Sequence, residues 1–271
     1  EMGVCRKCQG DEGERRVVVW TADGGRCRVC FVDSVFAAVR VAVGRAAMLP
    51  PSRYGFGGDE ARGILIAVSG GLSSMAMLYL LRPMLFARTD PSRRRCPVVV
   101  AHICARNGPS DNGERHLLEL EKFAHTLGFD QVVLSRGVVR HRAQQDQSDD
   151  EFMQEEWILD SLVEVANQCH CERVFLGSNA TRLASNLVTA LVTGRGNAVP
   201  VSISSTFCRS NVTFFRPMKD LTGRQLCRFA VIQDIMPYVV VDPHTILSGQ
   251  RTLGSMSTEF VLRLQDDKVR T

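Results

Sequence analysis

The chain has 271 residues but only 2 Trp and 3 Tyr against 13 Phe, and no apolar run approaches the ~18 residues of a bilayer-spanning helix. Its first residues also lack the apolar stretch of a secretory leader. Both absences lead to the expectation of a soluble, cytoplasmic protein with no membrane partner. No Gly-Lys-Ser/Thr of a Walker A loop is present, and no G-x-G-x-x-G of a dinucleotide fold, which sets aside the two commonest phosphate loops. An excess of one charge is missing as well: 33 Lys+Arg against 29 Asp+Glu leave a formal net charge of only +4. The basic residues still gather, at Arg93-Arg94-Arg95 and around Arg136, Arg140, His141 and Arg142. Such clusters read first as solvated loop charge and second as a footprint for a polyanion.

With 45% hydrophobic content, the chain is long enough to bury one substantial core and carry a small appendage. Cysteine is plentiful, at 10 residues, and four of them form Cys5-x-x-Cys8 and Cys27-x-x-Cys30 with 18 residues between the pairs. That spacing suits metal ligation better than disulfides and favours a reducing compartment. A tight turn presents each pair, and the hairpin between them brings the second pair to the far side of a tetrahedron. Four thiolates leave no open position, so the expectation is a structural zinc ion. An iron–sulfur cluster also uses four thiolates, but paired C-x-x-C turns on a small hairpin argue for zinc, and no iron–sulfur cluster is expected. Cys96, Cys104, Cys169, Cys171, Cys208 and Cys227 read as buried free thiols.

Organisation along the chain suggests three parts: a cysteine knuckle over residues 1–33, a helix and linker over 34–58, and an α/β domain over 59–271. The knuckle holds the strand-like Val17 to Trp20, a helix is expected from Ser34 to about Met48, and Pro50-Pro51 with following glycines reads as the linker. Beyond it, strand-like segments (Ile64–Val68, Pro97–Ile103, Gln131–Leu134, Arg173–Leu176, Val212–Phe215) alternate with helix-like ones (Ser74–Phe86, Asn112–Leu127, Phe152–Asn167, Leu183–Val192, Leu221–Asp234). Alternation of this kind is the mark of a doubly wound parallel sheet covered by helices. The polar stretch Ala143 to Glu151 is expected to be a loop.

The sharpest local signal is the apolar run Ile64–Val68 followed by Ser69-Gly70-Gly71-Leu72-Ser73-Ser74 and an apolar helix. A strand turning through glycines into a helix N-terminus leaves backbone N–H groups aimed outward, where a phosphate can accept from them. Gly70 and Gly71 allow a close approach, and the hydroxyls of Ser73 and Ser74 are expected to cap the helix. At the next strand ends lie Gly177-Ser178-Asn179-Ala180-Thr181-Arg182 and Phe215-Arg216-Pro217-Met218-Lys219-Asp220. Arg216 follows an apolar strand, so its guanidinium either reaches a phosphate at the sheet edge or forms an ordinary surface ion pair. His102 ends the second strand and reads as a strand-end residue.

The first loop resembles the SGGxDS pyrophosphate loop (PP-loop) of ATP-dependent adenylating enzymes, with Ser73 in place of the aspartate. The other two segments resemble the G-H-N-A-D-D and R-P-L-x-D segments of the tRNA-thiolating members. Together with Gly194-Arg195-Gly196 and the C-x-x-C pairs, they make nearly the whole chain similar to the second, non-catalytic subunits of eukaryotic cytosolic tRNA 2-thiolation complexes. In active members, the resemblance implies, ATP adenylates the 2-carbonyl oxygen of the wobble uridine and sulfur then displaces AMP. Here Ser73, Thr181 and Arg182 stand where those enzymes carry carboxylates, the hard ligands magnesium prefers. Their cysteine pair corresponds to Asp149-Asp150-Glu151-Phe152-Met153, which has no thiol, and their further cysteine has no clear counterpart in Tyr238 to Thr245, leaving Cys227 as an alternative approach to the cleft.

The resemblance therefore implies a degenerate cradle of Ser69, Gly70, Gly71, Ser73, Ser74, Asn179, Arg182 and Arg216, with ATP or AMP binding left open and no catalytic residue. It implies as partners an active thiolase paralogue in a heterodimer, the tRNAs for lysine, glutamate and glutamine, and a ubiquitin-related sulfur carrier reached through the complex. Phosphate contacts would fall to Arg6, Lys7, Arg15, Arg16, Arg26, Arg28, Arg40 and Arg45. Two other readings remain: a self-sufficient adenylating sulfurtransferase that uses serines for magnesium, and a nucleotide-free scaffold. Relatives continue beyond the segment around Thr258-Glu259-Phe260-Val261, so further chain is expected after Thr271.

Overall fold

The computed structural model describes residues 4–8, 17, 19–21, 24–49, 63–86, 96–104, 111–136, 147–240 and 252–270. A short hairpin comes first, β1 (Val19–Thr21) paired antiparallel with β2 (Gly24–Arg26). Helix α1 (Arg28–Arg45) follows at once, its N-cap being Cys27. It starts six residues before the expected Ser34, inside the second C-x-x-C, because Phe31, Val35, Val39 and Val43 already form a stripe at helical spacing. That stripe is buried in the same core as the central sheet. The knuckle is thus fastened to the domain by its own helix, and Arg28 Nη2 donates to the Ile232 carbonyl at 2.6 Å.

Six strands form the main sheet in the order β5-β4-β3-β6-β8-β7: β3 (Gly63–Ala67), β4 (Val98–Cys104), β5 (Val132–Arg136), β6 (Cys171–Leu176), β7 (Thr206–Arg209) and β8 (Val212–Phe215). All neighbours run parallel except the β7–β8 hairpin at one edge. Helices α2 (Leu72–Leu85), α3 (Asp111–Thr126), α4 (Gln147–Gln168), α5 (Ala180–Val192), α6 (Val199–Ile203), α7 (Gly223–Ile232) and α8 (Leu253–Arg270) complete the chain. One buried cluster joins α1, α2 and α7 to one face of the sheet, around Ile64, Ile66, Phe175 and Phe215. A second packs Leu159, Leu162, Val165 and Ala166 of α4 against Leu65, Val99, Val174 and Phe214 on the other face. Period-2 alternation along β3 explains the split, with Ile64 and Ile66 facing one way and Leu65 the other.

The strands and helices expected from sequence recur with shifted ends, and the doubly wound parallel sheet is observed. Three features differ. Helix α4 begins at Gln147, so the expected loop over Ala143 to Glu151 is helical from Gln147 onward; acidic residues in a first turn favour the helix dipole. Strand β7 and helix α6 lie in a segment to which the sequence assigned no element, since four exposed-buried residues before a turn give little periodic signal. Cys208 and Cys227 are exposed, not buried, whereas Cys96 and Cys171 are buried as expected. Cys104's side chain, the linker after Leu49, and Arg15, Arg16, Arg93 to Arg95, Arg140, His141 and Arg142 lie outside the described residues.

Candidate nucleotide cradle and metal centre

Strand β3 has β4 on one side and β6 on the other, and successive connections lead away from it in opposite directions. This is the switch point of the sheet, where doubly wound folds open a crevice at the carboxyl ends of the strands. The turns after β3 and β6 both end there. Gly70 adopts φ +82° in the first turn, a conformation suited to glycine. Gly177 in the second lies so close to α2 that a Cβ would meet the Ser74 Cα at 2.9 Å. The two loops therefore touch through backbone.

Within this crevice Ser69 Oγ and Ser74 Oγ lie 3.2 Å apart, and Ser74 Oγ donates to the Gly71 carbonyl at 2.9 Å. Gly71 is the N-cap of α2, with no side-chain cap. The serines do not cap the helix as expected, because Ser73 and Ser74 are already helical and their hydroxyls point to other partners. Ser69 Oγ accepts from the Gly71 N–H at 3.4 Å, while among the described residues no side chain caps the N–H groups of the following first turn, the arrangement that receives an anion.

Asn179 crosses from the second loop. Its Nδ2 donates to Ser73 Oγ at 2.6 Å, while its Oδ1 accepts the Arg182 N–H at 2.9 Å and caps α5. Thr181 is buried, and its hydroxyl oxygen accepts from the Gly223 N–H at 3.0 Å and from Gln265 Nε2 at 3.3 Å. Thr222 and Gln225 form a capping box at the start of α7. Arg182 is exposed on the first turn of α5. Five of the expected residues, with Gly70 and Gly71 supplying the turn, thus belong to one contiguous arrangement: Ser69, Ser73, Ser74, Asn179 and Arg182.

Arg216 goes elsewhere. Its side chain is buried, with Nη1 donating to the carbonyls of Val201 (3.1 Å) and Ser204 (2.6 Å) and Cζ 4.6 Å from the Phe207 ring centroid. Burial lowers its pKa, opposed by Glu155. The guanidinium holds the α6–β7 connection in place and is not a surface ion pair. Arg216→Ala would strand two carbonyls, so a loss of about 3 kcal/mol is expected, read as a lower urea midpoint. Arg216→Lys should recover only part of it, since an ammonium does not stack on the ring as a planar fork does.

Other residues weighed in the sequence lie about the crevice. Val240 N–H donates to the Gly70 carbonyl at 2.9 Å, so the segment after the last sheet helix runs beside the phosphate loop. Val239 and Val240 stand there, and Cys227 is on α7. His102, expected at a strand end, lies within β4 in register with Leu134 of β5 and bonds through Nδ1 to the Val68 carbonyl at 2.7 Å. Burial lowers its pKa from the ordinary 6.5, with the Val68 bond opposing. The unfolded chain therefore takes up a proton at pH values where the folded chain does not, so stability should fall as pH drops below about 6.5 through the folded pKa. His102→Asn should flatten that slope in a series of thermal midpoints against pH.

At the other end, the sulfurs of Cys5, Cys8, Cys27 and Cys30 all lie within 4.8 Å of one another, and Cys8 and Cys27 are 3.9 Å apart. The hairpin builds this centre: the Arg6 N–H donates to the Gly25 carbonyl at 3.0 Å, and Cys27 ends the hairpin as the N-cap of α1. Burial raises the Cys5 thiol, but backbone N–H groups of Cys27, Cys8 and Lys7 outweigh it and bring the pKa down to about 6. Burial and hydrogen bonds to the other three sulfurs push Cys30 up to about 12. A cation among them would reverse that repulsion. The donor set fits a metal ion.

No family model matches the chain. It is 27% identical over 283 residues to the Drosophila virilis protein named Cytoplasmic tRNA 2-thiolation protein 2, covering 97% of this chain and 67% of that one. A Dictyostelium discoideum protein of the same name is 24% identical over 228 residues, covering 76% of this chain and 43% of that one. Among solved structures, the U34-tRNA thiolase NcsA from Methanococcus maripaludis with its 4Fe-4S cluster superposes with a TM-score of 0.72 at 13% identity, over 97% of this chain and 81% of that one. The fold is that of the PP-loop proteins.

Proposed function

We infer that the chain is the non-catalytic subunit of a heteromeric complex that 2-thiolates the wobble uridine of cytosolic tRNAs for lysine, glutamate and glutamine, beside an active paralogue that adenylates the uridine and inserts sulfur. Support comes from homologues over 97% of the chain named tRNA 2-thiolation protein 2 and from the PP-loop fold. The observation that carries the non-catalytic part is the Asn179 Nδ2 to Ser73 Oγ bond of 2.6 Å. A hydroxyl, engaged in bracing two loops, occupies the place of the loop acid in adenylating relatives.

Thr181 repeats the pattern, its oxygen spent on α7 and α8. Hydroxyls and an amide are weak ligands for a magnesium ion that prefers carboxylates, while the uncapped N-terminus of α2 keeps donors for a phosphate. On this reading the cradle retains contact with the phosphates of ATP or AMP and has lost the means to activate them. The Tyr238 to Val240 segment beside Gly70 has no thiol to receive sulfur, so the ubiquitin-related sulfur carrier is served by the active subunit.

The four-cysteine centre is read as structural zinc. With Zn–S of about 2.3 Å, a tetrahedral ion spaces its sulfurs about 3.8 Å apart, close to the 3.9 Å between Cys8 and Cys27. A four-iron cluster places a cube between its ligands and spreads them further. The tRNA is held by the phosphate contacts of the knuckle and α1, and the complex works in the cytoplasm, as the homologues' names say of them.

The test is reconstitution from purified active paralogue, sulfur carrier, ATP, magnesium and tRNA, with uridine thiolation measured by mass spectrometry of the nucleosides. Omitting this chain should reduce thiolation to background. Full thiolation without it would remove the proposed role.

A further inference from the structure

Three helix N-termini meet at the crevice, and none brings an acid. The Asn179 bond to Ser73 joins the start of α5 to that of α2. The Ala180 N–H donates to the Leu221 carbonyl at 2.8 Å and the Gly223 N–H to Thr181 Oγ1 at 3.0 Å, which joins α5 to the start of α7. The first turns of α2, α5 and α7 contain no Asp or Glu, although an acid there would complement the positive end of the helix dipole. Two of them carry a cation instead, Arg182 on α5 and Arg224 on α7.

The resemblance to adenylating enzymes implies a magnesium ion beside the nucleotide phosphates, and these residues do not fit one. Magnesium demands near-octahedral oxygen ligation and is usually bound through one or two carboxylates. The segments Ser69–Ser74, Gly177–Arg182 and Phe215–Asp220 hold a single acid, Asp220, which is exposed and has Lys219 as its neighbour in sequence. The hydroxyls in place of the other acids are engaged, Ser73 Oγ by Asn179 and Thr181 Oγ1 by Gly223 and Gln265. A dication would also be repelled by three positive helix ends and by the Arg182 guanidinium. A phosphate meets the same groups as attractions.

On the reading that the cradle retains a nucleotide, we propose that it takes the phosphates free of magnesium, with Arg182 supplying the positive charge that the metal supplies in adenylating enzymes. Arg182 suits this part because its backbone is fixed beside the phosphate loop: its N–H is held by Asn179 Oδ1 at 2.9 Å, and Asn179 is bonded in turn to Ser73 at the start of α2. Its side chain is exposed. A guanidinium matches phosphate oxygens with parallel N–H donors, as an ammonium does not.

Equilibrium dialysis of radiolabelled ATP against the full chain, at matched ionic strength, compares excess magnesium with EDTA. ATP should bind about fivefold or more tightly in EDTA, since magnesium cancels two units of the negative charge that Arg182 and the helix ends attract. Inorganic pyrophosphate should show the same order, which assigns the effect to the phosphates. Arg182→Met should lose most of the preference for EDTA. Arg182→Asp puts an acid where adenylating relatives carry one and should reverse the preference, so that magnesium strengthens binding. Both variants should keep a thermal midpoint near wild type, because the residue is exposed. Wild-type binding strengthened by magnesium, or a preference for EDTA unchanged in both variants, would overturn the proposal and leave the retained-nucleotide reading standing. No bound ATP in either buffer would overturn that reading and the proposal with it.

Discussion

Cys27→Ala in the full chain is expected to take bound zinc from one ion per chain to none and to unfold the N-terminal hairpin. Cys27 closes that hairpin, contributes one of the four clustered sulfurs and serves as the N-cap of α1, so three roles fail together. The hairpin has strands of three residues each, too short to be stable alone in water, and among the described residues its cysteines form a buried cluster of their own. Structural zinc sites contribute about 10 kcal/mol or more of apparent binding free energy near neutral pH. Because Phe31 and Val35 of the same helix lie in the main core, the rest of the domain should remain folded. Metal analysis together with amide exchange of residues 4–8 and 24–30 checks both halves, with the exposed Cys208→Ala as a control expected to change stability by less than about 0.5 kcal/mol. Iron in place of zinc in the purified chain would correct the identity of the ion.

The second large effect concerns salt. Lys7, Arg28, Arg40 and Arg45 are exposed on the knuckle and α1, and four phosphate contacts give a logarithmic salt slope of about −3. Between 50 and 200 mM monovalent salt, affinity for tRNA should therefore fall roughly fiftyfold. Filter binding or fluorescence anisotropy across that range measures it. A combined Arg40→Ala and Arg45→Ala variant should weaken binding to all tRNA sequences alike and flatten the slope by about half. An unchanged slope would move the tRNA contact to another surface.

Much of this was legible before the fold was known, and the reasons differ from element to element. The cradle loop could be read because strand, glycine turn and helix are adjacent in sequence, and the chemistry of the turn is local. The four cysteines could be read because C-x-x-C spacing encodes tetrahedral geometry. The start of α1 could not, since the cysteine pair hid the helical stripe that begins at Phe31. Hydrophobic periodicity also gave little on α8, where Met256, Phe260 and Leu264 are exposed and the buried side mixes Val261 with hydroxyls.

Two residues show where local reading ends. Arg216 sits in a segment that predicts phosphate contact, yet its Nη1 donates to the Val201 and Ser204 carbonyls, supplied by α6 and its C-cap, to which the sequence assigned no helix. Thr181 is two residues from the visible Asn179, but its partners Gly223 and Gln265 are 42 and 84 positions away. Long-range hydrogen bonds leave no periodic trace. The Thr222-x-x-Gln225 capping box, by contrast, was a readable signal that marks the start of α7.

The proposed function requires that the cradle perform no chemistry by itself. Pyrophosphate release from ATP by the isolated chain, with magnesium and unmodified tRNA present, tests this most directly. The expected result is a rate indistinguishable from that of buffer, with release appearing only when the active paralogue is added. Sustained release by the chain alone, abolished by Asn179→Ala, would show that its serines and amide still activate the nucleotide and would contradict the account.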